Sequence, residues 1–292
     1  MAATSEAIQI EQQTRARTKW NFSLNQTVIL VGLAILLLLT FVPIGYLIVL
    51  SLKDSGQIYG RFWSLPRPYR WENFWLGWQV IRRPMLNSIL ASSTSTLGNI
   101  VFASLAGYAF ARHRFPGKEI IYTGVIALLM IPPILMLIPE FVLINTLGLQ
   151  NTLWAVILPW TAGGQVFSLL LFRSFFATLP EDFFDAARID GGSELQIYWR
   201  IALPLSKATI VTIAVIRLVT TYNQFMRPLI MISDPKKQVV AVALTQFTSD
   251  IGITDIGPQM AAYIVATIPL IILFSFGMKY YISGLTAGGL KA

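Results

Sequence analysis

From Val28 to Leu52 the chain runs 25 residues without an acidic or basic side chain. A helix needs about 20 apolar residues to cross the hydrocarbon core of a bilayer. Inside that core each backbone N–H and C=O must be bonded within the protein, so an open sheet is excluded and an α-helix is predicted. Five more apolar stretches follow, at about Leu86–Ala111, Ile120–Asn145, Leu153–Phe176, Thr209–Ile232 and Ala261–Ser283. Only 12% of residues are charged and 55% are hydrophobic, whereas soluble domains are roughly a quarter charged. The predicted fold is an all-α membrane protein: six transmembrane helices in one domain over 28–283, with polar tails at 1–27 and 284–292.

The first tail holds Glu6, Glu11, Arg15, Arg17 and Lys19. It lacks the apolar core and cleavage site of a signal peptide and reads as a cytoplasmic tail. Pro43 is expected to kink span 1. Residues 53–85 read as a hydrophilic segment whose tryptophans (Trp63, Trp71, Trp75, Trp78) favour a membrane interface. Span 2 opens with Ser88, Ser92, Ser93, Thr94, Ser95, Thr96, Gly98 and Asn99, small groups that let helices approach closely. Pro132-Pro133 and Pro139 break span 3, where Glu140 either snorkels to water or pairs with an arginine. Gly163-Gly164 and Gln165 in the middle of span 4 predict a local bend or a close backbone contact. Residues 233–260 read as a second hydrophilic segment.

Several chemistries are excluded. With no cysteine there is neither a disulfide nor a thiolate metal site. The sole histidine, His113, lies among Arg112, Arg114 and Lys118 and reads as a solvated loop residue rather than a ligand. No Ser/His/Asp arrangement and no Gly-x-x-x-x-Gly-Lys-Ser/Thr phosphate loop is present, so the chain reads as a non-enzyme. The net charge of +8 fits basic loops beside anionic lipid. No stretch interleaves aromatic and basic residues for nucleic acid.

Between spans 4 and 5 lies a charged island at 178–207. Thr178 and Glu181 have capping-box spacing with Pro180 between them, predicting a helix to about Asp190 that stops at Gly191-Gly192. Ser193 and Gln196 repeat the spacing, predicting a second helix that ends at Pro204. Asp185-Ala186-Ala187, then Asp190-Gly191, then Ile201-x-Leu203-Pro204 resembles the EAA loop of ABC-importer permease subunits. The first position departs, with aspartate where that family usually has glutamate. Tyr108-Ala-Phe-Ala-Arg112, Leu147-Gly148-Leu149-Gln150-Asn151-Thr152 and Gly284 to Lys291 are similar to its carbohydrate, maltose-type branch.

The resemblance implies a cytoplasmic coupling helix formed by Asp185, Ala186, Ala187, Asp190, Gly191, Ile201, Leu203 and Pro204. It implies a bacterial cytoplasmic (inner) membrane protein that works by alternating access. Implied partners are a second related permease, two ATPase subunits that carry ATP and Mg, and a periplasmic or extracellular solute-binding protein. With both termini inside, twelve basic residues fall in cytoplasmic segments and eight outside, a bias of the right sign.

Span 5 places Arg217, Thr220, Thr221, Asn223, Gln224 and Arg227 within an arc of about 160° of one helix. The run Tyr222-Asn223-x-Phe225-x-x-Pro228-Leu229 resembles sugar permeases, where the two arginine positions are commonly apolar. Arg227 lies near the outer end, within snorkelling reach. Arg217 lies about 12 Å inside the helix start, so a role facing a substrate path is expected. A guanidinium pairs bidentately with a carboxylate, which points to an acidic oligosaccharide such as an oligouronate. A neutral oligosaccharide is the alternative, the arginines then pairing with a sister subunit. An ion-coupled secondary transporter would need carboxylates within the spans. A purely assembly subunit would have no use for the polar face.

Overall fold

The computed structural model describes residues 24–246 and 256–289. Among the described residues there is no strand. The helices fall into two units, one ending at Ile48 and one beginning at Val49. The first is the body of α1 (Leu24–Ser51), apolar all round and with Pro43 inside it. Such a helix suits lipid rather than water.

The second unit is organised on α3 (Glu72–Arg112). It is 41 residues long, so it starts well before the apolar stretch expected for span 2. The segment before it is not wholly irregular either, since α2 (Ser55–Gly60) is capped by Asp54, whose carboxylate accepts the Gln57 N–H at 2.9 Å. Lys53 is fully buried beside it. Its ammonium donates to the carbonyls of Arg61 at 3.0 Å and Phe62 at 2.6 Å, the pairing a buried cation requires.

Beyond α3 come α4 (Lys118–Ala127), α5 (Leu137–Thr146), α6 (Trp154–Gly163), α7 (Gln165–Thr178), α8 (Asp182–Ile189) and α9 (Glu194–Leu205). They are followed by α10 (Lys207–Tyr222), α11 (Met226–Met231), α12 (Val240–Gln246) and α13 (Ile256–Gly289). The last two put helix into the segment read as hydrophilic at 233–260. α3 packs against α6, α7, α10 and α13. Its buried face is Ser88, Ser92, Ser95, Thr96, Asn99, Ala103, Ser104 and Gly107, the small residues that close packing needs.

Gly107 shows how close the helices come. A Cβ there would lie 2.6 Å from the Cβ of Phe172 and 3.0 Å from the backbone nitrogen of Arg173 on α7. Gly107→Ala is therefore expected to force α3 and α7 apart and to cost about 1–3 kcal/mol. A lowered thermal unfolding midpoint of the detergent-purified protein checks it.

Among the described residues, three helices are long and apolar enough to cross a membrane: Asn25–Ser51, Glu72–Arg112 and Ile256–Met278. Three bent pairs raise the count to as many as six. Lys118–Met130 and Pro133–Thr146 meet at 94°, the break falling at Pro132-Pro133, whereas Pro139 sits in the first turn of α5 without breaking it. Trp154–Gly163 and Gln165–Thr178 meet at 43°, the bend expected from the glycine pair. The third pair joins α9 to α10 at 73°.

Span 5 is not the single helix Thr209–Ile232 expected from its apolar run. α10 stops at Tyr222 and α11 starts at Met226. Pro228 supplies the reason: its ring would clash with the carbonyl of Gln224 in a continuous helix, and it is tolerated only in a first turn.

Candidate coupling loop and transmembrane polar residues

α8 and α9 form a compact knuckle between α7 and α10. α8 ends as expected: Gly191 is left-handed, with φ of 79°. The Gly192 N–H reaches the Ala187 carbonyl at 2.9 Å and the Gly191 N–H that of Arg188 at 3.0 Å. This double closure is the Schellman arrangement, and it places Asp190 as the cap. α9 begins as expected too. Ser193 accepts the Gln196 N–H and the Gln196 side chain accepts the Ser193 N–H, a complete capping box.

Two details differ. The box read at Thr178 and Glu181 does not form. Thr178 still belongs to α7, and its hydroxyl donates back to the Phe175 carbonyl at 2.7 Å. Glu181 instead takes Arg112 at 2.6 Å and Arg188 at 3.4 Å. Pro204 does not end α9 either. A π turn at Tyr198–Ala202 precedes it, and the helix runs on to Leu205. The widened turn relieves the crowding that Pro204 would impose on the Arg200 carbonyl.

The knuckle is pinned to the helices beneath it. Phe184, Ile197, Tyr198 and Ala202 are buried with Ala103 and Tyr108 of α3, Phe172 and Phe176 of α7, and Ile213 of α10. The Tyr198 hydroxyl bonds that of Ser104 at 2.7 Å. Arg112, at the end of α3, reaches Glu181 and the Leu179 carbonyl and lies 4.2 Å over the Phe184 ring.

Arg188 links Asp185 at 2.9 Å to Glu194 at 3.0 Å, tying α8 to α9. The hydrogen bond that Arg188 donates to Glu194 leads, with those to Asp185 and Glu181 adding, in pushing the guanidinium above its ordinary range. Burial works to raise the Glu194 carboxyl; Arg188, Tyr108 and His113 outweigh it and hold it below the usual value. His113 is thus not merely solvated: its Nε2 lies 3.7 Å from Glu194 and its ring meets Tyr108 edge-on.

The motif residues divide by burial. Ala187, Ile201 and Leu203 pack inward against the spans. Asp185, Ala186, Asp190, Gly191 and Pro204 are exposed. Around them the knuckle presents apolar groups that the sequence did not single out: Phe183 at 53%, Ile189 at 86% and Leu195 at 61% exposure. The signal for Ile189 was its place between two polar residues at a helix end, which by itself names no partner.

The six polar residues expected on one face of span 5 do not share one. The break after Tyr222 separates Arg217, Thr220 and Thr221 from Asn223, Gln224 and Arg227. Thr220 and Thr221 spend their hydroxyls on carbonyls of α10, and the capping Asn223 donates its amide to the Val219 carbonyl of α10. Gln224 lies in the break. Arg227 forms a bidentate pair with Glu140 of α5, at 2.6 and 3.1 Å. Glu140 is therefore a partner, not a snorkelling group.

Arg217 is different. Its Nη2 donates to the Trp160 carbonyl, one of the last carbonyls of α6 that have no partner within the helix. Its Nε is buried without a hydrogen-bond partner among the described residues. No described ion pair engages it. The C-terminal dipole of α6 favours a cation by about 0.3–1 kcal/mol, and by ~2 kcal/mol at best. Removing an ion from water costs several kcal/mol, so the dipole alone does not balance it.

The described residues form apolar helices, several long enough or paired to cross a membrane, with a charged knuckle that runs directly into one of them, the make-up of a multi-pass membrane transport component. The chain belongs to the family described as binding-protein-dependent transport system inner membrane component, whose model matches residues 99–286. It is 31% identical over 283 residues to the probable ABC transporter permease YurM of Bacillus subtilis, covering 97% of this chain and 93% of that one. It is 32% identical over 277 residues to the trehalose/maltose transport permease MalG of Thermococcus litoralis, covering 92% and 98%. Its fold matches a chain in a crystal structure of a bacterial ABC transporter involved in import of the acidic polysaccharide alginate. There the TM-score is 0.78, the identity 21%, and the coverage 89% of this chain and 99% of that one.

Proposed function

We propose that the chain is one permease subunit of an ATP-driven carbohydrate importer, moving solute by alternating access. The observation that carries the mechanism is the knuckle: α8 and α9 are locked to α3 and α7 and run directly into α10. A push on its exposed face is thereby delivered to three helices at once. The pushing surface belongs to ATPase subunits, which hold ATP and Mg. A second permease and a solute-binding protein outside the cytoplasmic membrane complete the assembly. Relatives named for trehalose/maltose, arabinooligosaccharides and diacetylchitobiose support carbohydrate as the cargo. Six spans, cytoplasmic tails at 1–27 and 284–292 and a cytoplasmic loop at 178–207 complete the reading. Asp185, Ala186, Asp190, Gly191 and Pro204 form the docking face, while Ala187, Ile201 and Leu203 transmit its motion.

Ile189 provides the test, because it is exposed and supports no packing in this chain. In the reconstituted assembly, Ile189→Glu is expected to reduce ATP-driven sugar uptake at least tenfold, about the effect of 1.4 kcal/mol at an interface, while the permease pair still assembles. Unchanged uptake would remove the knuckle's exposed face from the coupling. Uptake driven by an ion gradient without the ATPases would favour a secondary transporter instead.

A further inference from the structure

Seven buried side-chain polar atoms lack a hydrogen-bond partner among the described residues. Four of them sit on the helices that meet at the α6–α7 bend: Ser92 Oγ and Thr96 Oγ1 on α3, Trp160 Nε1 on α6, and Arg217 Nε on α10. The helices are joined there by specific bonds. The Asn99 amide donates to the Thr161 carbonyl at 3.2 Å, and the Thr161 hydroxyl to the Ser95 carbonyl at 3.4 Å. Arg217 donates to the Trp160 carbonyl. Its guanidinium occupies the space in which a Cβ on Gly164 would stand. Glycine at 164 is thus what allows a cation to lie in the bend.

We propose that Arg217, held in the α6–α7 bend over Gly164, is the counter-charge for a carboxylate on the transported sugar. The cargo would accordingly be a uronic-acid oligosaccharide. This rests on the carbohydrate reading above and names the class of carbohydrate.

Three observations carry it. Glu140 neutralises Arg227, whereas no acid among the described residues pairs with Arg217. A guanidinium offers five donors, and the structure gives one of them a protein acceptor. Arg217 as a residue is only partly buried, although its Nε is enclosed.

The test uses the whole transporter with its binding protein in liposomes, offered an oligogalacturonate and a neutral oligosaccharide of equal length. The wild type is expected to prefer the oligogalacturonate. Arg217→Gln is expected to lower the ratio of acidic to neutral uptake at least about tenfold, the scale of losing a hydrogen bond to a charged group. Arg217→Lys, which keeps the charge but not the fork, recovers part of that ratio.

Equal loss of both sugars in the two variants would give Arg217 a packing role and overturn the proposal. A wild type that prefers the neutral sugar would overturn it too, with the carbohydrate reading intact. A wild type that takes up neither sugar while hydrolysing ATP normally would sink the carbohydrate reading, and the proposal with it.

Discussion

Truncating Phe184 to alanine is expected to unseat the knuckle from the spans. The ring is fully buried among Tyr108, Phe176 and Tyr198, and Arg112 lies 4.2 Å above it. Removing a buried phenylalanine side chain costs about 3–5 kcal/mol where the cavity does not collapse. Collapse is resisted here because the neighbouring rings brace one another: Phe172 stacks on Phe176 at 5.7 Å, and Phe176 meets Tyr108 edge-on at 5.8 Å. Two readouts separate stability from coupling. The unfolding midpoint of the purified assembly falls, and under the coupling role proposed for the knuckle the solute moved per ATP hydrolysed falls with it. Phe184→Leu, which keeps most of the volume, is expected to lose less of both. A midpoint unmoved by the alanine variant would mean that the knuckle is held by its ion pairs, Arg112–Glu181 chief among them, and not by its core.

What the sequence disclosed and what it concealed follow from the range of the interactions. Apolar run length is a local property, and the bilayer requires it, so spans such as Val28–Leu52 were legible. The Gly191-Gly192 stop and the Ser193 capping box were legible because each is closed within a few residues. The Thr178 signal has the same pattern and failed, because its hydroxyl found a nearer acceptor in the helix it ends. The break in span 5 was readable from Pro228 but was masked by the apolar run around it. The ring system under the knuckle, the Ser104–Tyr198 bond and the Arg217–Trp160 contact join residues 94 and 57 positions apart in the latter two cases. No local periodicity encodes such pairings. They decide which of the polar span residues are occupied by the protein itself, and so which are left for a ligand.

The same reasoning gives Glu140 an effect as large as that of Phe184. Its carboxylate is 22% exposed and the Arg227 guanidinium 14%, so both charges are largely withdrawn from water. The pair bridges α5 and α11, the pieces that follow the breaks in spans 3 and 5. Glu140→Ala leaves the arginine buried and unpaired, which costs about 3–5 kcal/mol. Glu140→Gln is expected to cost less, since its amide oxygen still accepts one hydrogen bond from Arg227. The double variant Glu140→Ala with Arg227→Leu removes both charges and is expected to regain most of the lost stability, because the penalty belongs to the orphaned charge and not to the absent pair. Unfolding midpoints of the single and double variants form a closed cycle. If the double variant proved no more stable than Glu140→Ala, the two side chains would act independently. Arg227 would then rejoin Arg217 among the cations that a solute has to neutralise.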